Sequence, residues 1–334
     1  TRKAGRFERW FGAASAEAIP FGLEDLPAEQ RQPVAVHRPG EHGHLLVTGA
    51  TGSGRTTALG VLSAAPGSVV LPSEPADAWQ VLDELRSAAP APERRLLLID
   101  DLDLLLGRVD PETRHDLAEL LARVLREGPA HRLGVAASVQ RVGGALQPLA
   151  GLFGSRLMLR MASRDEHVLA GGAGAEFDPG LPPGGGRWRG AVVQVAWPGD
   201  AALPAAPAPE LPVVVPAAGG ELAIVAGRPG ELLAPLRAAG VRVTLLDPAD
   251  ASVAGTRDRP GEVLLGDPDT WLADWALLTR ARRELRIAVT GCSAAELRAV
   301  ARPRDAPPLL GARDGECWLV EGGAVRRAVL AVGA

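Results

Sequence analysis

Tyrosine is absent from the 334 residues, lysine occurs once, at Lys3, and cysteine twice, at Cys292 and Cys317. Two cysteines cannot build a disulfide framework, so both read as ordinary reduced thiols. No run of about 18 apolar residues is free of charge, which excludes a transmembrane helix within this sequence. No secretory signal is visible either. Positive charge is not in excess: 36 basic against 40 acidic residues leave a formal net charge of -4. That argues against a broad basic surface for wrapping nucleic acid, though it leaves room for a local basic channel. All the basic residues but Lys3 are arginine, and Gly (40) and Pro (29) are abundant, a bias that reads as GC-rich coding. Codon drift of this kind can place an arginine on a surface. It does not easily explain one in a phosphate site.

At ~150 residues per domain the length predicts two domains, each able to bury a core. Hydrophobic residues at 46% and charged residues at 23% fit a globular chain. The sequence begins at Thr1 rather than Met, and we read it as a piece of a longer protein whose membrane segment, if any, lies outside it.

After a short amphipathic start, Arg6–Phe11, and the apolar Ile19–Leu23, strands and helices alternate. Strands are expected at Leu45–Val47, Val69–Leu71, Leu96–Ile99, Leu133–Ser138 and Leu157–Met161. Helices are expected at Thr56–Leu62, Asp77–Ser87 and Pro111–Arg126, the last with apolar residues at helical spacing. Such alternation predicts a mainly parallel sheet with helices on both faces. An Ala/Pro/Leu stretch over 201–216 reads as a linker. A smaller alternation follows: strands at Leu222–Val225, Val241–Leu246, Val263–Leu265 and Arg286–Val289, helices at Glu231–Ala239, Thr270–Arg283 and Ala294–Ala301, and closing strands at Cys317–Val320 and Val325–Val332. We read it as a shrunken copy of the first unit. The expected division is a lead-in linker over 1–35, an α/β domain over 36–200, a linker over 201–216 and a second α/β module over 217–334. Trp188, Trp197, Trp271, Trp275 and Trp318 read as core.

Residues 49–56 read Gly-Ala-Thr-Gly-Ser-Gly-Arg-Thr. This fits G-x-x-x-x-G-K-[ST] at every position but one, between an expected strand and an expected helix. Gly49, Gly52 and Gly54 permit backbone conformations that side chains forbid. With Ser53 they turn N–H groups into one concavity at the positive end of a helix, an anion site suited to a phosphate. Thr56 supplies the hydroxyl that would reach Mg²⁺, with Thr57 beside it the lesser candidate. Arg55 stands where lysine is usual. It is longer, planar and forked, so it still neutralises phosphate but does not match the slot of a point charge.

Arg95–Leu106 reads as four apolar residues followed by acids, the Walker B pattern. Asp100 at the strand tip is expected to hold Mg²⁺ through water. Asp101 occupies the place of an acid that polarises attacking water, one methylene shorter than glutamate. Asp103 faces solvent or caps the next element. Gln140, just past the next strand, either senses the terminal phosphate or places water as a catalytic residue, or makes a structural hydrogen bond. One of Arg156, Arg160 and Arg164 could act as an arginine finger toward a neighbouring subunit, against a surface salt-bridge role.

Together these stretches resemble the FtsK/SpoIIIE-type RecA-like P-loop ATPases, and within them the C-terminal ATPase modules of EccC/EssC-type type VII secretion proteins. The resemblance spans about residues 19–198 and rests on Gly22–Arg31, the phosphate loop, Asp100–Asp103, and Gly134–Arg141 with Gly154–Arg160 and Ser163–Asp165. Gly184–Arg187 falls on the family's Gly-rich hairpin. The tail, with Gly266–Trp271 and Thr290–Arg298, resembles a degenerate terminal module. Its Ala226–Gly230 turn lacks the G-K-[ST] signature, and Asp267 stands alone.

The resemblance implies a RecA-like fold and ATP with Mg²⁺ as cofactors. It also implies neighbouring ATPase modules as partners and a station at the cytoplasmic face of a bacterial membrane. The cargo would be small helical WXG100-type proteins or, in the other branch, DNA. The net charge and the lack of a basic winged-helix tail weigh against DNA. Arg55 and Asp101 depart from the catalytic pattern, so binding with weak or no hydrolysis is the expectation. A DNA motor and a nucleotide-free scaffold are the alternatives.

Overall fold

Strand β5 (Arg95–Ile99) lies inside the sheet of the first unit. Leu96–Ile99 are buried on both faces, as an interior parallel strand requires. The computed structural model describes residues 14–197, 199, 203–216, 222–247 and 262–332. The Arg6–Phe11 start lies outside them. The chain divides into two compact units, Thr1–Ala208 and Pro209–Ala334.

In the first unit β3 (Leu45–Thr48), β4 (Ser68–Val70), β5, β6 (Leu133–Val139) and β7 (Ser155–Leu159) are parallel. Their spatial order is β7-β3-β6-β5-β4. One strand, β6, therefore separates the loop strand from the acidic strand. Helices Arg55–Leu62, Pro75–Ser87 and Pro111–Glu127 join these strands. Asp110 caps the last of them, accepting from the Glu112 and Thr113 N–H groups.

The sheet does not stop at β7. Strands β8 (Gly185–Trp188), β9 (Ala191–Val195), β1 (Ile19–Asp25) and β2 (Val34–His37) extend it, all antiparallel to their neighbours. The lead-in segment expected over 1–35 thus contributes two strands rather than a linker. Its burial has a simple cause. Ile19 and Phe21 enter the core, and Gly22 lets β1 lie so close to β9 that a Cβ there would meet the Gln194 carbonyl oxygen at 2.4 Å. Phe21 packs edge-on to buried Trp188, ring centroids 5.2 Å apart.

The second unit carries β10 (Val213–Val214), β11 (Leu222–Ala226), β12 (Val243–Leu245), β13 (Val263–Gly266), β14 (Arg286–Thr290), β15 (Glu316–Glu321) and β16 (Ala324–Leu330). Their order is β10-β16-β15-β14-β11-β13-β12. Here β13 pairs directly with β11, in parallel. The copy is one strand short, because no described strand intervenes between them as β6 does in the first unit. Val213–Val214, expected in the linker, pairs with β16. The single helix expected at Thr270–Arg283 is two, Pro268–Ala273 and Trp275–Glu284. Asp274 breaks it by leaving helical geometry and accepting the Leu277 N–H as an N-cap.

Trp188, Trp271 and Trp318 are buried as expected, but Trp275 and Trp197 are exposed. Trp275 is instead covered by the guanidinium groups of Arg282 and Arg302, 5.4 and 4.8 Å from its ring centre. Both cysteines are free. Burial first, then nearby acids, push Cys292 up to about 11 and Cys317 up to about 12, so both remain protonated thiols.

Candidate functional site

The loop between β3 and helix Arg55–Leu62 closes on itself. The Ser53 N–H donates to the Ala50 carbonyl, and the Ala50 N–H donates to Arg160 O at 2.9 Å, tying the loop to the end of β7. Gly49 is required by contact: a Cβ there would fall 2.4 Å from the Ser53 hydroxyl oxygen. Gly54 is required by conformation. It caps the helix at φ +99 and packs against Gly184, whose N–H donates to Ser53 O at 2.8 Å. Gly52, also at positive φ, has open space beside it. The Gly-rich stretch before β8 thus buttresses the phosphate loop from outside.

Two pairs join the loop to the acidic strand. Thr56 Oγ1 donates to Asp100 Oδ2 at 2.8 Å. The Arg55 guanidinium donates to Asp101 Oδ1 at 2.7 Å and, through its other terminal nitrogen, to the Gly49 carbonyl. The Arg55 side chain is 11% exposed and that of Asp101 35%. Arg55 therefore bends back across its own loop instead of extending from it. Asp101 holds φ 46, ψ 52, a left-handed turn that costs a non-glycine residue roughly 1 kcal/mol. Aspartate tolerates it better than most.

Beneath both acids lies Ser138, fully buried near the tip of β6. Its hydroxyl donates to Asp100 Oδ1 at 2.5 Å and accepts the Asp101 N–H at 2.9 Å. Asp103 does not simply face solvent. It accepts the Gln140 backbone N–H at 3.1 Å. Among the described residues the Gln140 side chain makes no hydrogen bond to the loop or to either acid, so the geometry gives Gln140 a structural contact through its backbone. Thr57, half-buried, stays outside the Thr56–Asp100 pair. Arg156 and Arg160 donate to the carbonyls of Ala170 (2.6 Å) and Leu181 (3.3 Å), and so hold their own chain's loops. The sequence gives Ser138 no assigned role, and gives Gly184 none beyond its place in a Gly-rich hairpin. The signal for Ser138 was there: a lone hydroxyl in the otherwise apolar run of β6.

These residues fit a nucleotide with its metal in most respects. The loop offers backbone N–H groups at a helix N-terminus. Among the described residues the buried Ser53 hydroxyl has no hydrogen-bond partner. Thr56 and Asp100, the pair that would hold Mg²⁺, already converge. Arg55 is the misfit, since its charge is engaged by Asp101. No group of three or more potential metal ligands of the His, Cys, Asp or Glu type occurs among the described residues. A metal here would rest on phosphate, hydroxyl and one carboxylate.

The corresponding turn in the second unit is built differently. The Gly227 N–H donates to Thr290 O at 3.1 Å, echoing Ala50 and Arg160, but a Cβ on Gly227 would meet Gly291 O at 2.1 Å. Asp267 is spent as a helix cap, accepting the Thr270 N–H at 2.7 Å.

No protein-family model and no curated protein matches the sequence. Solved structures do match its shape. ATPases 2 and 3 of EssC from Geobacillus thermodenitrificans are 14% identical, over 96% of this chain and 97% of that one, with a TM-score of 0.47. ATPases 2 and 3 of Thermomonospora curvata EccC, in complex with a signal sequence peptide, are 15% identical over 86% and 78%, with a TM-score of 0.45. The conjugation coupling protein TcpA of pCW3, in its monomer form with ATPγS, is 16% identical over 55% and 67%, with a TM-score of 0.42.

Proposed function

We propose that the first unit is a Mg²⁺-dependent ATP-binding module that hydrolyses slowly or not at all, and that it serves a FtsK/SpoIIIE-type translocase of the type VII, EccC/EssC-like secretion kind. The observation that carries this reading is the double engagement of Arg55, on Gly49 O and Asp101 Oδ1, beside an intact Thr56–Asp100 pair. Gly49, Gly52, Ser53 and Gly54 would bind the phosphates through backbone N–H groups, and Thr56 and Asp100 would hold the metal. Bound Mg²⁺ would neutralise phosphate charge. Arg55 would have to leave Asp101 to reach the phosphates. Asp101 would then be the acid available to orient water, with a reach one methylene short. Weak turnover follows from both departures. The second unit, whose turn lacks the G-K-[ST] signature and whose Asp267 caps a helix, would act without nucleotide.

As a translocase part, the chain would work with neighbouring ATPase modules, at the cytoplasmic face of a bacterial membrane, on small helical WXG100-type substrates. The motifs quoted from Gly22 to Arg187 support that context. Among the described residues no helix is long and apolar enough to cross a membrane.

Titration calorimetry with Mg-ATP tests the reading. We expect the parent to bind, Arg55→Ala and Asp100→Ala to weaken binding at least tenfold, about 1.4 kcal/mol, and Arg55→Lys to bind and gain measurable turnover. Absence of binding by the parent and by Arg55→Lys alike would sink the nucleotide reading and leave the scaffold alternative.

A further inference from the structure

Asp100 and Asp101 are adjacent in sequence, yet both are addressed by one hydroxyl from another strand. We propose that Ser138 is a positioning residue: it sets the Asp100 carboxylate toward Thr56 and fixes the backbone turn that aims Asp101 at Arg55. The inference rests on the nucleotide reading only for its consequence. The geometry stands apart from it.

The Asp100 carboxylate is held at both ends. Oδ1 accepts from Ser138 at 2.5 Å and Oδ2 from Thr56 at 2.8 Å. With both oxygens engaged, the plane of the carboxylate is determined, and Oδ2 is the oxygen that faces Thr56. A single hydroxyl has one proton and two lone pairs. Ser138 uses the proton on Asp100 and a lone pair on the Asp101 N–H at 2.9 Å, so its donor and acceptor roles are both consistently filled.

The second bond has its own effect. The Asp101 N–H is anchored where the chain turns left-handed to begin helix Leu102–Gly107. Rotating that peptide away from Ser138 would carry the Asp101 side chain off Arg55. One residue therefore couples the metal-holding acid to the acid that restrains the loop arginine.

The sheet explains why this position is available. In β6 every residue from Leu133 to Val139 is buried, and Ser138 is the only one with a polar side chain. It pairs in register with Val47 of β3, two residues before Gly49. Its neighbour Ala137 pairs with Ile99, the residue before Asp100. The hydroxyl thus lies between the ends of the loop strand and the acidic strand. A buried hydroxyl without partners is costly, and this one has two.

The test compares Ser138→Ala with Ser138→Thr in the full chain, by two measurements. The first is amide hydrogen exchange of the segment 99–104 without nucleotide. Ser138→Ala should speed exchange of the Asp101 amide about tenfold, the effect of losing one net hydrogen bond, and Ser138→Thr should restore it. The second is Kd for ATP in Mg²⁺ against Kd in EDTA. Ser138→Ala should cut the gain from Mg²⁺ about tenfold while affinity in EDTA stays within about twofold, and Ser138→Thr should recover the gain.

Unchanged exchange in Ser138→Ala overturns the proposal whatever nucleotide does. An equal loss in Mg²⁺ and EDTA also overturns it, because a space-filling role would act on both. Altered exchange in a chain that binds no ATP in either buffer upholds the positioning and refutes the nucleotide reading.

Discussion

Asp101→Asn is expected to tighten nucleotide binding. The substitution keeps the shape of the side chain, tolerates the left-handed turn, and retains an oxygen that can accept from Arg55. It removes only the charge. A desolvated charge-assisted bond contributes ~1.5–3 kcal/mol, but the Asp101 side chain is 35% exposed, so water screens much of that. A net contribution of about 1 kcal/mol is the reasonable figure. Arg55 must break this bond before it can meet a phosphate, so weakening it by ~1 kcal/mol should improve Kd roughly fivefold.

Simple repulsion between Asp101 and the phosphates would act in the same direction, so the assay is a double-mutant cycle. Mg-ATP affinity is measured by calorimetry for the parent, Asp101→Asn, Arg55→Ala and the double variant, at one ionic strength. If Arg55 is the intermediary, the gain from Asp101→Asn falls below about twofold once Arg55 is alanine. The same gain in both backgrounds would refute the reasoning, since the arginine would then be irrelevant to it. Unchanged or weaker binding in Asp101→Asn alone would refute it as well.

Three further outcomes are expected. Gly54→Ala forces a left-handed φ of +99 on alanine and brings its Cβ to 3.0 Å from the Gly184 nitrogen; at ~1–3 kcal/mol it should lower the melting temperature by roughly 3–10 °C and abolish ATP binding. His37 is fully buried, with no hydrogen-bond partner for either ring nitrogen among the described residues, and burial, then the nearby His42 and His44, push its pKa down to about 3. The unfolded chain takes up this proton below about pH 6.5 while the folded one does not. Stability should therefore fall as pH drops from 6.5 toward 3, by about 1.4 kcal/mol per pH unit at most. Urea midpoints at pH 7 and 5 check this, and His37→Phe should flatten the slope. In the second unit, Arg327 holds Glu316 at 2.6 Å with both side chains almost wholly buried; Arg327→Met strands a buried carboxylate and should cost ~3–5 kcal/mol in chemical denaturation, whereas Arg327→Met with Glu316→Leu should recover most of it.

Much of the site was legible along the chain because it is built from local signals. Gly49, Gly52 and Gly54 between an apolar strand and a helix describe a tight turn into a helix N-terminus whatever surrounds them. Leu96–Ile99 followed by Asp100 and Asp101 describes a buried strand with acids at its tip. Both rest on backbone sterics and burial over fewer than a dozen residues, which a sequence states directly. The alternation of such segments was enough to expect the parallel sheet.

Contacts between distant residues were not legible. Ile19–Asp25 has no clean alternation, so its place in the sheet depends on β9, some 170 residues on. The second unit's missing strand is invisible in a list of elements, because element order does not state which strands pair. Arg55 and Asp101 are 46 residues apart. The sequence alone shows each as a departure from a pattern, and only the folded chain shows that the two departures hold each other. Ser138 reaches its acids across 38 and 37 residues. The sequence determined which groups the candidate site contains. The tertiary structure decided which of them are already engaged, because hydrogen bonds between strand ends depend on register and sheet order, and neither is written in local composition.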